Sequence, residues 1–148
     1  MKIDEYPREV YIAFVKALEG KRNNFDKLIA DGYPEWAAFA AALQGDDEAT
    51  MFLLTKSALP VLGVLANGMN DEPAAMSWLK KNSNRMYYAF CQATKKDDEA
   101  KEWLASHDYL IFVMLAEKIN EMMKIRIKRE TFWYHGANWF TGEWTKKN

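Results

Sequence analysis

The sequence predicts an all-α fold: stacked helical hairpins forming a short α-solenoid, followed by a long C-terminal helix and an aromatic tail. Three observations predict it. An Ala-x-x-aromatic-Leu pattern occurs at Ala49, Phe52 and Leu53, at Ala75, Trp78 and Leu79, and at Ala100, Trp103 and Leu104, with offsets of 26 and 25 residues. Each copy follows a polar turn: Asp46-Asp47-Glu48, Asn70-Asp71-Glu72-Pro73 or Asp97-Asp98-Glu99. Upstream, Ala17-Leu18-Glu19-Gly20 returns 25 residues later as Ala42-Leu43-Gln44-Gly45. Such a fixed short period marks units that must bury their apolar faces on one another.

Local chemistry then places the elements in order. A first helix is expected near 5–19, with Pro7 at its start and Gly20 at its end, and a second near 22–30. A third is expected near 34–44, with Pro34 in the first turn, where no N–H is needed, and Gly45 where the helix must stop. The fourth, near 47–56, begins at an acidic turn whose Asp can accept a bond from the free N–H groups and suits the positive helix end. A fifth near 58–67 has Pro60 near its start, and a sixth near 72–82 has Pro73 in its first turn. Two more are expected near 84–95 and 97–105. In the repeated helices, Ala, aromatic and Leu at i, i+3 and i+4 fall on one face, which is expected to be buried. A longer helix is expected from about 108 to 128, because Ile111, Leu115, Ile119 and Met122 keep helical spacing. At its end Lys124-Ile125-Arg126-Ile127-Lys128 alternates as a strand would, over a run too short to decide. The whole of 1–148 reads as one domain, with repeats over roughly 5–107 and the long helix and tail over 108–148.

Composition bounds the function. At 148 residues, 49% hydrophobic and 28% charged, the chain can bury a sizeable core. Its net charge of −1 supplies no global field to draw in nucleic acid or an anionic membrane. No stretch approaches about 18 consecutive apolar residues and the N-terminus is polar, so a cytoplasmic protein without membrane contact is the default expectation. One cysteine and two histidines leave little for a disulfide or a metal site, and no cofactor is expected.

Few residues invite a catalytic reading. Cys91 lies among Tyr87, Tyr88, Ala89 and Phe90 with no evident base, as a structural core cysteine would. His107 and Asp108 could pair as base and carboxylate, but fit better as an inter-helix turn with Asp108 as N-cap. The pairs Asp46 with Asp47 and Asp97 with Asp98 could hold a divalent cation, yet their recurrence at one place in the repeat points to capping. A catalytic site would have to join His135 and Asn138 to Glu130 or Glu143. No phosphate loop, nucleophile elbow or His-Glu-x-x-His helix is present.

The C-terminal segment departs from the rest. From Lys118 onward there are seven basic residues against three acidic ones, a local net of plus four, leaving minus five on the first 117. Trp133, Trp139 and Trp144 crowd there with Phe132, Tyr134 and Phe140. These aromatics either cap the open end of the stack or, with Lys128, Arg129, Trp133, His135 and Trp139, form a partner-binding surface. Base stacking, with Lys124, Arg126, Lys128 and Arg129 on phosphates, is the alternative.

The units from Gly32 to Ala49 and from Glu72 to Asn82 resemble the short helical-hairpin repeats of uncharacterised bacterial proteins. They are loosely similar to ankyrin repeats, whose Ala-Ala-x-x-Gly element matches Ala41-Ala42-Leu43-Gln44-Gly45, while the Thr-Pro-Leu-His signature and the period of about 33 residues are missing. The resemblance covers roughly residues 15–118 and implies stacked helices. The expectation for function is a protein-interaction or scaffolding module acting as a monomer or weak homodimer. The alternative is a nucleic-acid-binding protein using the C-terminal segment.

Overall fold

A computed structural model describes residues 2–82 and 84–141, and their side chains as far as Lys128. Its elements are α1 (Arg8–Leu18), α2 (Arg22–Ala30), α3 (Pro34–Leu43), α4 (Asp47–Lys56), α5 (Pro60–Met69), α6 (Pro73–Asn82), α7 (Arg85–Ala93), α8 (Asp98–Ser106) and α9 (Leu110–Thr141). They pair as four hairpins, α1 with α2 through α7 with α8, and α1, α3, α5 and α7 pack side by side in succession. α9 then packs on α7, on α8 and on α1, so the inner layer closes on itself through the long helix.

Short-range signals set most boundaries. Asp46 Oδ1 accepts from the Ala49 N–H at 3.1 Å and Asp97 Oδ1 from the Ala100 N–H at 3.3 Å, the expected caps. Asn84 does the same for α7, accepting from the Tyr87 N–H at 3.2 Å. α5 begins at Pro60, two residues later than expected, because the residue before a proline is pushed out of helical geometry; Leu59 sits at φ −130° and ψ 66°. α1, α2, α3, α5 and α7 stop in one recurring way. A residue at positive φ lets two amides reach back to the last carbonyls, as when Lys21 N–H meets Lys16 O at 3.1 Å and Gly20 N–H meets Ala17 O at 3.0 Å. The same pair of bonds forms at Gly45, at Asp71 and at Lys96. Asp108 also lies in this region, at φ 65°, with Tyr109 N–H on Leu104 O. It is therefore the turn residue after α8 and not the N-cap of the next helix.

Two other expectations are corrected. Lys124–Lys128, left open between helix and strand, is helical, and α9 continues to Thr141 instead of ending near 128. In the turn before α6, the Asn70 side chain accepts from Arg126. In the Ala-x-x-aromatic-Leu pattern only the leucine is fully interior. Leu53, Leu79 and Leu104 are wholly buried, while Phe52 and Trp103 are half-buried and Trp78 is 44% exposed. A short helix has one line of closest approach, and a residue at i+3 beside a buried i+4 stands on its shoulder.

The core is one continuous cluster. Trp36 is its centre, with edge-to-face contacts to Tyr6, Tyr11, Phe14 and Phe39 at 5.3–6.0 Å between centroids. Phe112 of α9 joins it through Tyr11 at 5.6 Å and Phe90 at 5.1 Å. Leu115, Ala116 and Ile119 are buried along the same face, so the first three turns of α9 cover the inner layer. The role expected of the aromatic tail as an end cap falls on side chains outside those described.

Candidate functional site

The polar end of the stack gathers where the inner helices finish. A helix leaves its last carbonyls without intrahelical partners and carries roughly half a negative charge there. Side chains meet these ends in turn. Gln44 Nε2 donates to Ala17 O and Leu18 O at 3.2 and 3.0 Å, tying the end of α1 to that of α3. Asn120 Nδ2 donates to Thr94 O at 2.9 Å, tying α9 to the end of α7. Arg126 Nη1 donates to Leu43 O and to Asn70 Oδ1, both at 3.0 Å, tying α9 to α3 and α5. The guanidinium lies so close to Gly45 that a Cβ there would stand 3.2 Å from it, a second reason besides φ 99° for glycine.

Between the α5–α6 turn, the end of α7 and α9 lies a cleft of about 490 Å³, lined among others by Asn70, Thr94, Lys95, Asn120, Lys124 and Arg126. Lys95 pairs with Asp71 across it. Lys124 has a different neighbour: its ammonium lies within hydrogen-bonding range of that of Lys96, and Lys128 is near as well. Both are donors, so neither satisfies the other. The crowding by Lys96, with a little desolvation, lowers the Lys124 pKa below its ordinary value. Among the described residues, Lys96, Lys124 and Lys128 form no ion pair.

Of the residues expected to bind a partner, Lys128 is exposed on α9 beside this cluster. Arg129, Trp133, His135 and Trp139 have their backbone in α9, and their side chains lie outside those described, as do those of Asn138 and Glu130. Trp144 and Glu143 lie outside the described residues altogether. Of the cations that the nucleic-acid alternative needs, Arg126 is half-buried and occupied within the fold. Sequence reading missed Lys96, Asn120 and the cleft. One signal was present: at the turn position filled by Gln44-Gly45 and Asn70-Asp71, the fourth hairpin has Lys95-Lys96.

The catalytic candidates whose side chains are described, Cys91 and His107, have structural roles. Cys91 is buried with Sγ 3.3 Å from Met76 Sδ, and burial pushes its thiol up to about 12, so no thiolate forms near neutral pH. His107 stacks on Trp103 at 4.1 Å and places Nδ1 2.7 Å from the Trp103 carbonyl, to which it donates. Arg85 lies over the same indole at 5.1 Å. Among the described residues no three His, Cys, Asp or Glu side chains are placed to hold a metal, and no helix is long and apolar enough to cross a membrane. Comparison with known proteins finds no matching family model, no matching curated protein and no matching solved structure.

Proposed function

We propose that the chain is a protein-interaction or scaffolding module that docks an acidic, amphipathic segment of a partner protein along the C-terminal half of α9. The supporting observation is the surface of that helix. Ile125 and Ile127 are 57% and 62% exposed and lie on either side of the exposed lysines Lys124 and Lys128, although the same helix buries Phe112, Leu115, Ala116 and Ile119 in its first three turns. Apolar side chains flanked by cations suit a partner that offers apolar groups and carboxylates together. The same helix runs on to Thr141 and carries Arg129, Trp133, His135 and Trp139 in its sequence. The likeness to helical-hairpin repeat proteins of the bacterial, loosely ankyrin-like kind agrees with such a role. The reading takes the protein to act in the cytoplasm as a monomer or weak homodimer. The nucleic-acid alternative is weaker because Arg126 already spends its donors on Leu43 and Asn70.

The test is affinity purification with the full chain, a chain ending after Glu130, and an Ile125→Asp, Lys128→Glu variant of the full chain. All three are first checked for helicity by circular dichroism. The expected result is one protein retained by the full chain and lost from both others while helicity persists. Retention of the same proteins by all three rejects the surface. Capture that disappears on nuclease treatment, with affinity falling steeply with salt, transfers the function to nucleic acid.

A further inference from the structure

The lysine cluster at the cleft is unexplained by folding, and the partner surface uses Lys124 and Lys128 but not Lys96. Helix ends attract cations, but α3 and α7 are already served by Arg126 and Asn120 through hydrogen bonds. Among the described residues, Lys96 and Lys124 then bring two ammonium groups together with no carboxylate in ion-pair range, Glu121 acting on Lys124 from further off while paired with Lys118, and they do so from a turn and a helix separated by 28 residues of chain. Lys96 holds this place in spite of a left-handed backbone, φ 64°, that glycine would adopt without strain. Two converging donors with no acceptor between them are completed by an anion that accepts from both. Cations around a concave wall concentrate potential at the cleft.

We propose that the cleft bounded by Asn70, Thr94, Lys95, Asn120, Lys124 and Arg126, with Lys96 and Lys128 at its rim, binds a small phosphate-bearing ligand whose oxyanion bridges the Lys96 and Lys124 ammonium groups. The site shares Lys124, Ile127 and Lys128 with the partner surface, while Lys96 and the α5 and α7 walls of the cleft stand outside that surface. A phosphate group carries close to two charges and three acceptor oxygens, and so serves several lysines at once where a carboxylate offers one charge and two oxygens. The end of α7 opposes an anion with roughly half a charge, against three lysines that favour it. The one carboxylate in the lining, Asp71, is neutralised by Lys95. A volume of about 490 Å³ lies within the range of small-molecule sites. The apolar lining, Met69, Met123 and Ile127, holds no aromatic ring on which an unpaired base could stack, which favours a small ligand over a nucleic-acid strand.

The experiment titrates inorganic pyrophosphate into the full chain by calorimetry and follows its melting temperature, with chloride at matched ionic strength as reference. The variants are Lys124→Met, Lys96→Gln and, as a control lysine away from the cleft, Lys16→Met on α1. Saturable one-to-one binding and a raised melting temperature are expected for the unmodified chain and Lys16→Met. Affinity falls about tenfold or more in each cleft variant, the loss of one charge-assisted bond. Without pyrophosphate, Lys124→Met is expected to melt at or above the unmodified chain, because it removes repulsion. Absence of saturable binding, equal affinity in all four proteins, or an equal shift with chloride overturns the proposal. So does tighter binding to a single-stranded oligonucleotide or to phosphatidylserine vesicles than to pyrophosphate.

Discussion

α3 and α4 are each ten residues long and adjacent in the chain, yet α3 buries Trp36, Ala37, Phe39, Ala40, Ala42 and Leu43, while α4 buries Leu53 alone. The contrast holds throughout the stack. α1, α5 and α7 bury five or six residues each, whereas α2, α6 and α8 bury one or two. The outer helices hang on one leucine apiece: Leu28, Leu53, Leu79 and Leu104, spaced by 25, 26 and 25 residues and at most 2% exposed. Helices this short are not stable alone, so the outer layer is held by that leucine and its caps, and the inner layer by a shared core. Equal helix length therefore conceals unequal local stability.

The largest expected effect comes from the inner layer. Phe39→Ala removes a wholly buried ring stacked on Phe14 at 5.2 Å and is expected to cost about 3–5 kcal/mol in chemical denaturation. Because the inner core is shared, the loss should be global. Cys91, on distant α7 with a thiol raised to about 12 by burial, should then react much faster with a thiol reagent in the variant. Leu28→Ala, which removes a buried side chain at a cost of about 2–4 kcal/mol, should act differently. Amides of α2 are expected to lose protection from hydrogen exchange while Cys91 labelling barely changes. If both variants open Cys91 equally, the two layers are one cooperative unit and the distinction fails.

A smaller effect tests how α9 is joined to the stack. Arg126→Met keeps much of the aliphatic stem and removes the bonds to Leu43 O and Asn70 Oδ1. About 1 kcal/mol is expected, below the usual value for charged hydrogen bonds because the group is half in solvent. Exchange at the ends of α3 and α5 should rise with it, and unchanged protection there would mean that α9 is held by its first three turns alone. The smallest effect has the opposite sign. Asp108→Gly relieves a left-handed backbone at φ 65° and, after the extra freedom glycine gives the unfolded chain, should raise stability by about 0.5 kcal/mol. A lowered melting temperature would show that the aspartate contributes more than its backbone strain.

Much of this was legible in the residues. The expected helices at 22–30 and 47–56 coincide with α2 and α4, because caps, prolines and helix-ending glycines act within four residues of themselves. The repeat was legible too, though only in part. Left-handed turns recur at 20, 32, 45, 71, 96 and 108, at intervals of about half a repeat or a whole one, but the last three are Asp, Lys and Asp, which no glycine pattern reveals. The run Lys124–Lys128 stayed open because a five-residue alternation fits either period, and the continuation of α9 to Thr141 was missed. The cleft was not legible: its walls come from α5, α7 and α9, and only the Lys95-Lys96 pair marked it.

The residues by themselves determined where most of the short helices begin and end, their phase, and the leucines at Leu53, Leu79 and Leu104 on which the outer layer hangs, since each depends on neighbours a few positions away. The tertiary structure alone decided which cations stay available. Arg126 and Lys124 lie two residues apart in one basic run, yet one is spent on a carbonyl 83 residues distant and the other faces a second lysine. The physical reason is that a backbone carbonyl is the same group at every residue, so only its placement in space assigns it a partner.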